Sequence, residues 1–402
     1  MHAEVVVMGG GAAGIGVTAS LLRRYPSLEI VIVEPSDWHY YQPGWTLVGG
    51  GIFDARRTVR PMREVIPARA RWIQAAVSAL QPGQKQLVLD NGQTLAYQQL
   101  IVCPGLQLCW DQIEGLEATL GQNGVTSNYA YELAPYTWEL TRNLRQGRAI
   151  FTQPPMPIKC AGAPQKAMYL SSDYWLHSGV LDNIEVEFDL AAPVLFGVPD
   201  FVPALMEYVE KYRIQLAFQS RLVAVDGPGR VARFEVTGAD GQSGYQEKTF
   251  DMLHVVPPQQ APGVIRSSPL ANEAGWCDAD PHTLQHPRYP DIFSLGDVCG
   301  TSNGKTAAAA RKQIVVVAEN LLAMRAGREF PGCYNGYGGC PLTVERGRVL
   351  LAEFGYGGTL LPTFPVDPCT ANRAAWWLKR SFMPWLYWHV MLKGREWLAG
   401  CS

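Results

Sequence analysis

The chain has 402 residues, of which 47% are hydrophobic and 17% charged, which is typical of a globular protein with two or three domains. Its formal net charge of -2 gives no electrostatic reason to expect a nucleic-acid partner. No run of eighteen apolar residues predicts a membrane-spanning helix, and the nine cysteines show neither a C-x-x-C motif nor the paired spacing of a zinc site, so no metal is expected.

The first thirty-four residues carry a dinucleotide-binding pattern. Residues 5–7 read as a buried parallel strand, and Gly9, Gly11 and Gly14 follow with the G-x-G-x-x-G spacing. That spacing lets the backbone approach a pyrophosphate where a helix begins. Glu34 ends a second apolar strand twenty residues after Gly14, where a carboxylate can bind ribose hydroxyls and would repel a 2′-phosphate.

A later motif indicates which dinucleotide is bound. Residues 291–297 read as a short apolar strand that ends in Gly296 and Asp297. In flavoproteins with two dinucleotide domains such an aspartate binds the ribityl chain of FAD, although alone it could equally cap the next helix. The helix predicted over 305–313 is rich in small residues, so it can pack against a flat ring and point its positive end at the flavin. Together the motifs predict FAD.

From about residue 112 the sequence predicts a second α/β unit. A strand at 148–153 is followed by helices at 165–177 and 200–212 and by strands at 184–189 and 214–237. A proline-rich stretch with Cys160 replaces the glycine turn that NAD(P)H would need. We therefore predict an α/β fold with two Rossmann-like domains. The limits are 1–111 and 256–331 for the FAD domain, 112–255 for the second domain, and 332–402 for a C-terminal region.

Cys160 is the first candidate for a reactive thiol. It lies between Lys159 and Lys166 at the predicted start of a helix, a setting that lowers a thiol pKa. The alternative is a cysteine packed as a small apolar residue. Cys340, in a glycine-rich loop predicted before a strand at 348–354, is a second candidate, and Cys333 competes with it. The remaining cysteines are interpreted as structural: Cys103, Cys109, Cys277, Cys299, Cys369 and Cys401.

These stretches together resemble one family. Residues 157–166 (P-I-K-C-A-G-A-P-Q-K), Gly296-Asp297, residues 305–308 (K-T-A-A), residues 340–342 (C-P-L) and residues 351–354 (L-A-E-F) are similar to sulfide:quinone oxidoreductases, in particular to the branch that contains the mitochondrial enzyme. The likeness runs from residue 3 to about 395.

The resemblance implies a flavoprotein of the disulfide reductase superfamily that holds FAD non-covalently. It implies a redox pair of Cys160 and Cys340, in which hydrosulfide attacks the sulfur-bridged cysteines, Cys340 holds the sulfane sulfur and Cys160 faces the flavin. Two electrons would pass to FAD and then to ubiquinone, while glutathione, sulfite or a second sulfide would remove the sulfur. The family's strand end A-x-G is Cys103-Pro-Gly105 here, and Cys109 follows just after it. This departure leaves open a covalent flavin link or a third redox thiol.

The site residues follow from the motifs and the resemblance. The expected cofactor-binding residues are Gly9, Gly11, Ala12, Gly14, Glu34, Gln42, Val77, Asp297, Lys305, Thr306, Ala307 and Ala308. Lys166 and Lys379 match lysines that would hold anionic sulfur. Phe354, Phe382 and Tyr387 are the predicted quinone wall.

The last 27 residues contain five of the twelve tryptophans, and from residue 373 on basic residues outnumber acidic ones five to one. Two short segments broken at Pro384 therefore predict an amphipathic anchor on a membrane surface, the alternative being a helical hairpin that packs on the protein itself. The first strand begins so early that no leader is expected. We thus predict a peripheral protein on the cytoplasmic face of a prokaryotic inner membrane. A homo-oligomer is also compatible with the sequence.

Two other functions fit parts of the sequence. A type II NADH:quinone oxidoreductase shares the FAD pattern and an aromatic tail, but the missing second glycine turn and the Cys160 stretch argue against it. A non-catalytic flavin-binding sulfur carrier would bind FAD without reducing quinone. Substitution of Cys160 by serine separates these, because the NADH enzyme would keep its turnover.

Overall fold

The computed structural model describes residues 1–238 and 240–400. Its first sheet is mostly parallel and is built around His2–Met8, whose residues 5–7 are fully buried. The strands of a parallel sheet are buried on both faces and therefore appear in the sequence as continuous apolar runs. The predicted strands at 5–7 and 30–33 are confirmed. The strand order is Arg71–Ile73, Ile30–Val33, His2–Met8, Thr94–Val102, Gln86–Leu89 and Val77–Gln81, with Ile292–Ser294 parallel to the end of Thr94–Val102.

The second sheet is parallel and carries the second predicted unit. Its order is Val125–Thr126, Met252–His254, Gly147–Gln153, Ile184–Leu190 and Gln215–Phe218. An antiparallel sheet of Ser220–Asp226, Val231–Thr237 and Ser243–Thr249 follows. The strands of the first sheet thus come from 2–102 and 292–294, and those of the second from 125–254. The domain limits given above stay predictions.

Helices cover the sheets and position the loops of the site. The α-helices are Ala12–Arg24, Trp45–Gly49, Met62–Val65, Leu116–Thr119, Ala134–Asn143, Ala163–His177, Val202–Lys211, Gly263–Arg266, Ala307–Arg325, Arg373–Trp377 and Met383–His389. The shorter 3₁₀ turns are Gln42–Gly44, Ala55–Thr58, Pro82–Gln84, Trp110–Gln112, Leu181–Asn183, Pro199–Phe201, Tyr356–Gly358 and Met391–Lys393. Two-stranded sheets pair Trp38–Tyr40 with Val59–Pro61, Gln107–Leu108 with Gln259–Gln260, and Gly338–Glu345 with Arg348–Phe354.

Two local predictions were wrong, and a third is confirmed. Cys340 lies inside the strand Gly338–Glu345, opposite Ala352, because its glycine-rich stretch pairs with Arg348–Phe354 instead of forming a loop. The helix predicted after Cys160 begins at Ala163 with Pro164 in its first turn, as expected. The C-terminal segment is not broken at Pro384: the π-helical turn Leu378–Phe382 joins the two α-helices, and Pro384 lies in the first turn of Met383–His389, where a proline needs no hydrogen-bond partner.

No helix in the described ranges 1–238 and 240–400 is long and apolar enough to cross a bilayer.

Candidate functional site

The glycine turn and Glu34 are positioned as a dinucleotide site requires. A Cβ on Gly9 would lie 2.4 Å from the Cys103 carbonyl oxygen, and one on Gly14 would lie 1.9 Å from the Gly9 carbonyl oxygen, so both positions need glycine. A Cβ on Gly11 would meet no atom of the described part of the chain within 4 Å. The Gly10 amide donates to Glu34 Oε2 at 2.7 Å, which fixes the carboxylate beside the turn.

A cavity of about 440 Å³ opens on this turn, within the range of small-molecule and cofactor sites. Most of the predicted cofactor residues line it, namely Gly11, Ala12, Glu34, Gln42, Asp297, Lys305, Thr306, Ala307 and Ala308. Gly9 and Gly14 lie behind the lining, where they allow the close packing of the turn. Val77 is outside the lining and packs against the core of the first sheet instead.

Asp297 and Lys305 form the polar end of the second cofactor motif. Lys305 Nζ donates to the carbonyl oxygens of Asp297 at 2.7 Å and Cys299 at 2.8 Å and lies 3.9 Å from the centre of the Trp276 ring. Burial raises the pKa of the Asp297 carboxyl, and the nearby Lys305 opposes that rise. Burial also disfavours the charged form of Lys305 and so lowers the pKa of its amine.

Further polar groups of the cavity were not predicted from the sequence. Trp45 Nε1, Thr46 Oγ1 and both amide atoms of Asn128 are buried with no hydrogen-bond partner among the residues that the structure describes, and all three residues line the cavity. Buried polar groups without partners are costly, so their presence points to a ligand with hydrogen-bonding edges. A flavin ring has such edges, and together with the glycine turn these groups fit FAD. No local pattern around Asn128 could have indicated this.

Cys160 and Cys340 are brought together although they lie 180 residues apart in the sequence. Their sulfurs are 3.5 Å apart. The Cys160 amide donates to the Lys305 carbonyl oxygen at 2.7 Å, which ties the thiol to the cofactor motif, and its φ of 50° turns the chain sharply before the helix. Cys160 lines the cavity, whereas Cys340 is buried behind it and Cys333 is exposed. The pair is therefore formed by Cys340 and not by its competitor.

Lys166 provides positive charge beside both sulfurs. Its Nζ lies 3.1 Å from Cys160 Sγ and 3.9 Å from Cys340 Sγ, and the residue is buried. A hydrogen bond from the Cys340 thiol, followed by the charge of Lys166, holds the pKa of Cys160 well below the ordinary value of a thiol. The same hydrogen bond, together with burial, raises the pKa of Cys340. The geometry thus favours a Cys160 thiolate beside a neutral Cys340.

Lys379 lines the same cavity from the C-terminal segment. Its Nζ donates to the Pro43 carbonyl oxygen at 2.9 Å. Burial, with repulsion from Lys166, lowers the pKa of Lys379 to about 7.

Two of the three predicted quinone residues line the cavity. Phe382 also stacks between the exposed Trp377 and Trp385, with ring centroids 6.1 Å and 5.9 Å away. Tyr387 lines the cavity too, but its hydroxyl is bound to His39. Phe354 lies outside the lining and packs against Phe196 and Phe201.

Of the other cysteines in residues 1–238 and 240–400, Cys103 alone lines the cavity. Cys109 is fully buried, and its thiol contacts the Gln107 carbonyl oxygen at 3.9 Å, so the structure does not bring it to the cavity. Cys103, Cys277 and Cys299 are buried, and Cys369 is half-buried. Cys401 lies outside the described residues.

No family model matches the sequence. Three curated relatives cover almost all of it, and all are named mitochondrial sulfide:quinone oxidoreductase. The protein from Mus musculus is 37% identical over 98% of this chain and 87% of its own length. The one from Dictyostelium discoideum is 38% identical over 98% and 86%, and the one from Schizosaccharomyces pombe is 32% identical over 98% and 91%. These names give no support to the predicted cytoplasmic face of a prokaryotic membrane.

Solved structures share the fold at low identity. The sulfide:quinone oxidoreductase of Aquifex aeolicus aligns with a TM-score of 0.81 at 18% identity, covering 98% of this chain and 92% of that one. A chain of the Tetrahymena thermophila mitochondrial ATP synthase structure aligns with a TM-score of 0.85 at 19% identity, covering 98% and 96%. A Plasmodium falciparum NDH2 in complex with NADH reaches 0.57 at 11% identity, covering 74% and 64%. The mixed α/β fold is therefore confirmed.

Proposed function

Because the chain belongs to the sulfide:quinone oxidoreductase family, we propose that it oxidises hydrogen sulfide at Cys160 and Cys340 and passes two electrons through FAD to a quinone. The chain is accordingly a flavin-dependent oxidoreductase. The observation that carries the residue assignment is the pair of sulfurs 3.5 Å apart beside a buried lysine, on the wall of the cavity that the glycine turn lines.

FAD, when bound, would accept two electrons from the sulfur chemistry and release them to the quinone. The glycine turn and Glu34 would hold its adenosine and pyrophosphate, and Asp297 its ribityl chain. Trp45, Thr46 and Asn128 offer the unpaired polar atoms described above to the ring. Cys160, the member of the pair that lines the cavity, would face the flavin.

The sulfur step is supported by the spacing of the pair. A disulfide needs its sulfurs at ~2.05 Å, and two such bonds meeting at one sulfur atom span roughly 3.3 Å. The observed 3.5 Å therefore leaves room for a sulfur bridge. Hydrosulfide attacks the bridge, the S–S bond to Cys160 breaks, and Cys160 leaves as the thiolate while sulfane sulfur stays on Cys340. Lys166 at 3.1 Å stabilises that leaving thiolate.

A small nucleophile would then remove the sulfane sulfur. When the nucleophile is a thiol such as glutathione, the overall reaction converts hydrogen sulfide and the thiol into a persulfide. The quinone takes up the two electrons and two protons that this oxidation releases. Sulfite would give thiosulfate and a second sulfide would give polysulfide by the same attack. The positive charge of Lys166 on the cavity wall, and that of Lys379 where it is protonated, favour these anionic species.

A membrane quinone such as ubiquinone suits the apolar part of the cavity. Leu351, Phe364, Phe382, Met383 and Leu386 line it. Phe382 belongs to this lining and also stacks on the exposed Trp377 and Trp385. These three rings form an aromatic row that connects the cavity with the surface. Exposed tryptophans with basic neighbours favour the interface of a bilayer, so the segment from Arg373 to Trp397 is proposed to bind the membrane surface.

The test is an anaerobic absorbance titration of the purified holoprotein with sulfide and, separately, with NADH. Sulfide is expected to bleach the oxidised flavin band and produce a long-wavelength charge-transfer band, and decylubiquinone is expected to restore the oxidised flavin. Bleaching by NADH and not by sulfide would overturn the proposal in favour of an NADH dehydrogenase. Bound flavin that neither sulfide nor quinone affects would indicate a sulfur carrier.

Variants of the cysteines sharpen this test. Cys160→Ser and Cys340→Ser should each abolish bleaching by sulfide while retaining bound FAD. Cys333→Ser is the matched control, because Cys333 is exposed and lies seven residues before Cys340. Equal loss in Cys333→Ser would contradict the assignment of the pair.

A further inference from the structure

Glu353 is a buried carboxylate at the centre of a hydrogen-bond network outside the cysteine site. It accepts a short hydrogen bond from the Tyr337 hydroxyl. The hydroxyl and the amide of Thr363 also donate to it, at 2.6 Å and 3.0 Å. Tyr337 and Thr363 hydroxyls are themselves 3.1 Å apart. Glu353 is only 7% exposed, so its charge depends on these donors.

This network reaches the cavity at Tyr337. Tyr337, Gly339 and Glu353 all line the cavity, and Gly339 pairs with Glu353 across the two-stranded sheet. A Cβ on Gly339 would lie 3.6 Å from the Tyr337 hydroxyl oxygen and 3.1 Å from the Cβ of Ala308. The Tyr337 hydroxyl and the predicted flavin residue Ala308 therefore both lie close to Gly339, where a larger side chain would crowd Ala308.

The other end of the network points toward solvent. Thr363 is half-buried and follows the exposed Pro362, whereas Tyr337 is 4% exposed and Glu353 is buried. A continuous chain of hydrogen bonds thus runs from a partly exposed hydroxyl, through a buried carboxyl, to a hydroxyl on the cavity wall.

Positive groups face the same region. Lys312 Nζ lies 5.4 Å from the centre of the Tyr337 ring, and Arg311 lines the cavity while donating to the carbonyl oxygens of Trp397 and Leu398. Lys379 lines the cavity from the C-terminal segment. These charges favour negative charge that develops on a ligand oxygen in the cavity.

We propose that Tyr337, Glu353 and Thr363 deliver a proton to the quinone as it is reduced, an inference that rests on the proposed function. Reduction adds two electrons and two protons to the quinone and forms two O–H bonds. One of those protons leaves the Tyr337 hydroxyl. Thr363 first passes a proton from solvent to the Glu353 carboxylate, and Glu353 gives that proton to Tyr337 as Tyr337 releases its own. The second proton enters by another path, and each group ends the cycle in its starting state.

Tyr337 is the catalytic member, because it lines the cavity and its hydroxyl lies beside Gly339, which lines it too, and the other two residues act through it. Tyr337 cannot simply give up its proton, since burial and then the adjacent Glu353 raise the pKa of its hydroxyl. Transfer to the quinone must therefore be coupled to the return of a proton from Glu353.

The experiment separates proton delivery from electron transfer. The holoenzyme is reduced anaerobically with sulfide and mixed in a stopped-flow instrument with decylubiquinone or with ferricyanide, which takes electrons but no protons. The variants are Tyr337→Phe and Glu353→Gln. The matched control is Tyr356→Phe, whose hydroxyl donates to the Pro281 carbonyl oxygen outside the cavity. Decylubiquinone binding is measured separately by quenching of tryptophan fluorescence.

Tyr337→Phe is expected to slow reoxidation by decylubiquinone about 100-fold, the usual effect of losing a general acid. Bleaching by sulfide, reoxidation by ferricyanide and quinone affinity should change less than about threefold. The solvent deuterium isotope effect of the wild-type reaction should be altered in the variant. Should Glu353→Gln lose its flavin through misfolding, Tyr337→Phe alone decides.

Quinone reoxidation in Tyr337→Phe at the rate of Tyr356→Phe would overturn the relay while leaving the proposed function intact. Equal slowing with ferricyanide would also overturn it, because that pattern indicates damage to the flavin site. A wild-type enzyme that sulfide does not reduce, or that quinone does not reoxidise, would instead refute the proposed function itself.

Discussion

The Tyr387 hydroxyl lies 2.6 Å from Nε2 of His39, and Nδ1 of the same ring lies 3.0 Å from the Gly10 carbonyl oxygen. Since a carbonyl can only accept, Nδ1 carries the proton and the tyrosine donates to Nε2. Burial lowers the pKa of His39 to about 4, so the ring stays neutral. The C-terminal segment is thereby joined to the turn that would hold the dinucleotide.

Tyr387→Phe is expected to lower the melting temperature of the protein by several degrees. It leaves the buried Nε2 of His39 without a donor, which costs about 1–3 kcal/mol. Differential scanning calorimetry measures the change, with Tyr25→Phe as the control because Tyr25 is 49% exposed. Equal melting temperatures for the two variants would show that the hydrogen bond between Tyr387 and His39 contributes nothing to the stability of the protein.

The pattern of the dinucleotide turn was predictable because it is local. Val5–Val7 are buried, Gly9 and Gly14 occupy positions that exclude a side chain, and Glu34 lies beside the turn, all within one stretch of chain. Cys160 could be identified for the same reason, since the charge of Lys166 is six residues away in sequence.

Pairing and packing between separate elements could not be predicted in this way. The glycines before Cys340 indicate a loop locally, yet pairing with Arg348–Phe354 makes them a strand. Phe354 shows the same limit, because strand geometry turns it toward Phe196 and away from the cavity. The unpaired amide of Asn128 becomes informative only once its burial is known.

Lys166→Met should make Cys160 less reactive at neutral pH in the fully reduced protein. The charge of Lys166 helps to lower the pKa of the Cys160 thiol, so its removal shifts the titration toward higher pH, and each pKa unit reduces the thiolate fraction about tenfold. The rate of Cys160 carboxymethylation, followed by peptide mass spectrometry across pH, measures the shift. Lys85→Met, on a side chain 54% exposed, should leave the profile unchanged.

Lys379→Met should change how stability depends on pH. Burial and repulsion from Lys166 lower the pKa of Lys379 to about 7 in the folded protein, against about 10.4 in an unfolded chain. Between these values the unfolded state binds a proton that the folded state lacks, so this residue makes stability rise with pH, by about 1.4 kcal/mol per unit at most. Below pH 7 its effect is constant.

The variant is therefore expected to gain stability over the wild type at pH 7 and to lose that gain by pH 10. Melting temperatures at pH 7, 8, 9 and 10 measure the difference, again with Lys85→Met as the control. A difference between variant and wild type that does not vary over this range would refute the lowered pKa of Lys379.

Trp377→Ser and Trp385→Ser should weaken binding to phospholipid vesicles. Trp377 is 59% exposed and Trp385 is 41% exposed, and both stack on Phe382. If each buries its free face in the interface, each loss costs about 1.5 kcal/mol, or about tenfold in partitioning. Vesicle cosedimentation measures this, and Tyr245→Ser is the control because Tyr245 is 72% exposed on the sheet that contains Ser243–Thr249. Equal partitioning of all three variants would favour the alternative that this aromatic row packs against protein. Bleaching of the flavin by sulfide should be unchanged in the tryptophan variants, since neither side chain lines the cavity.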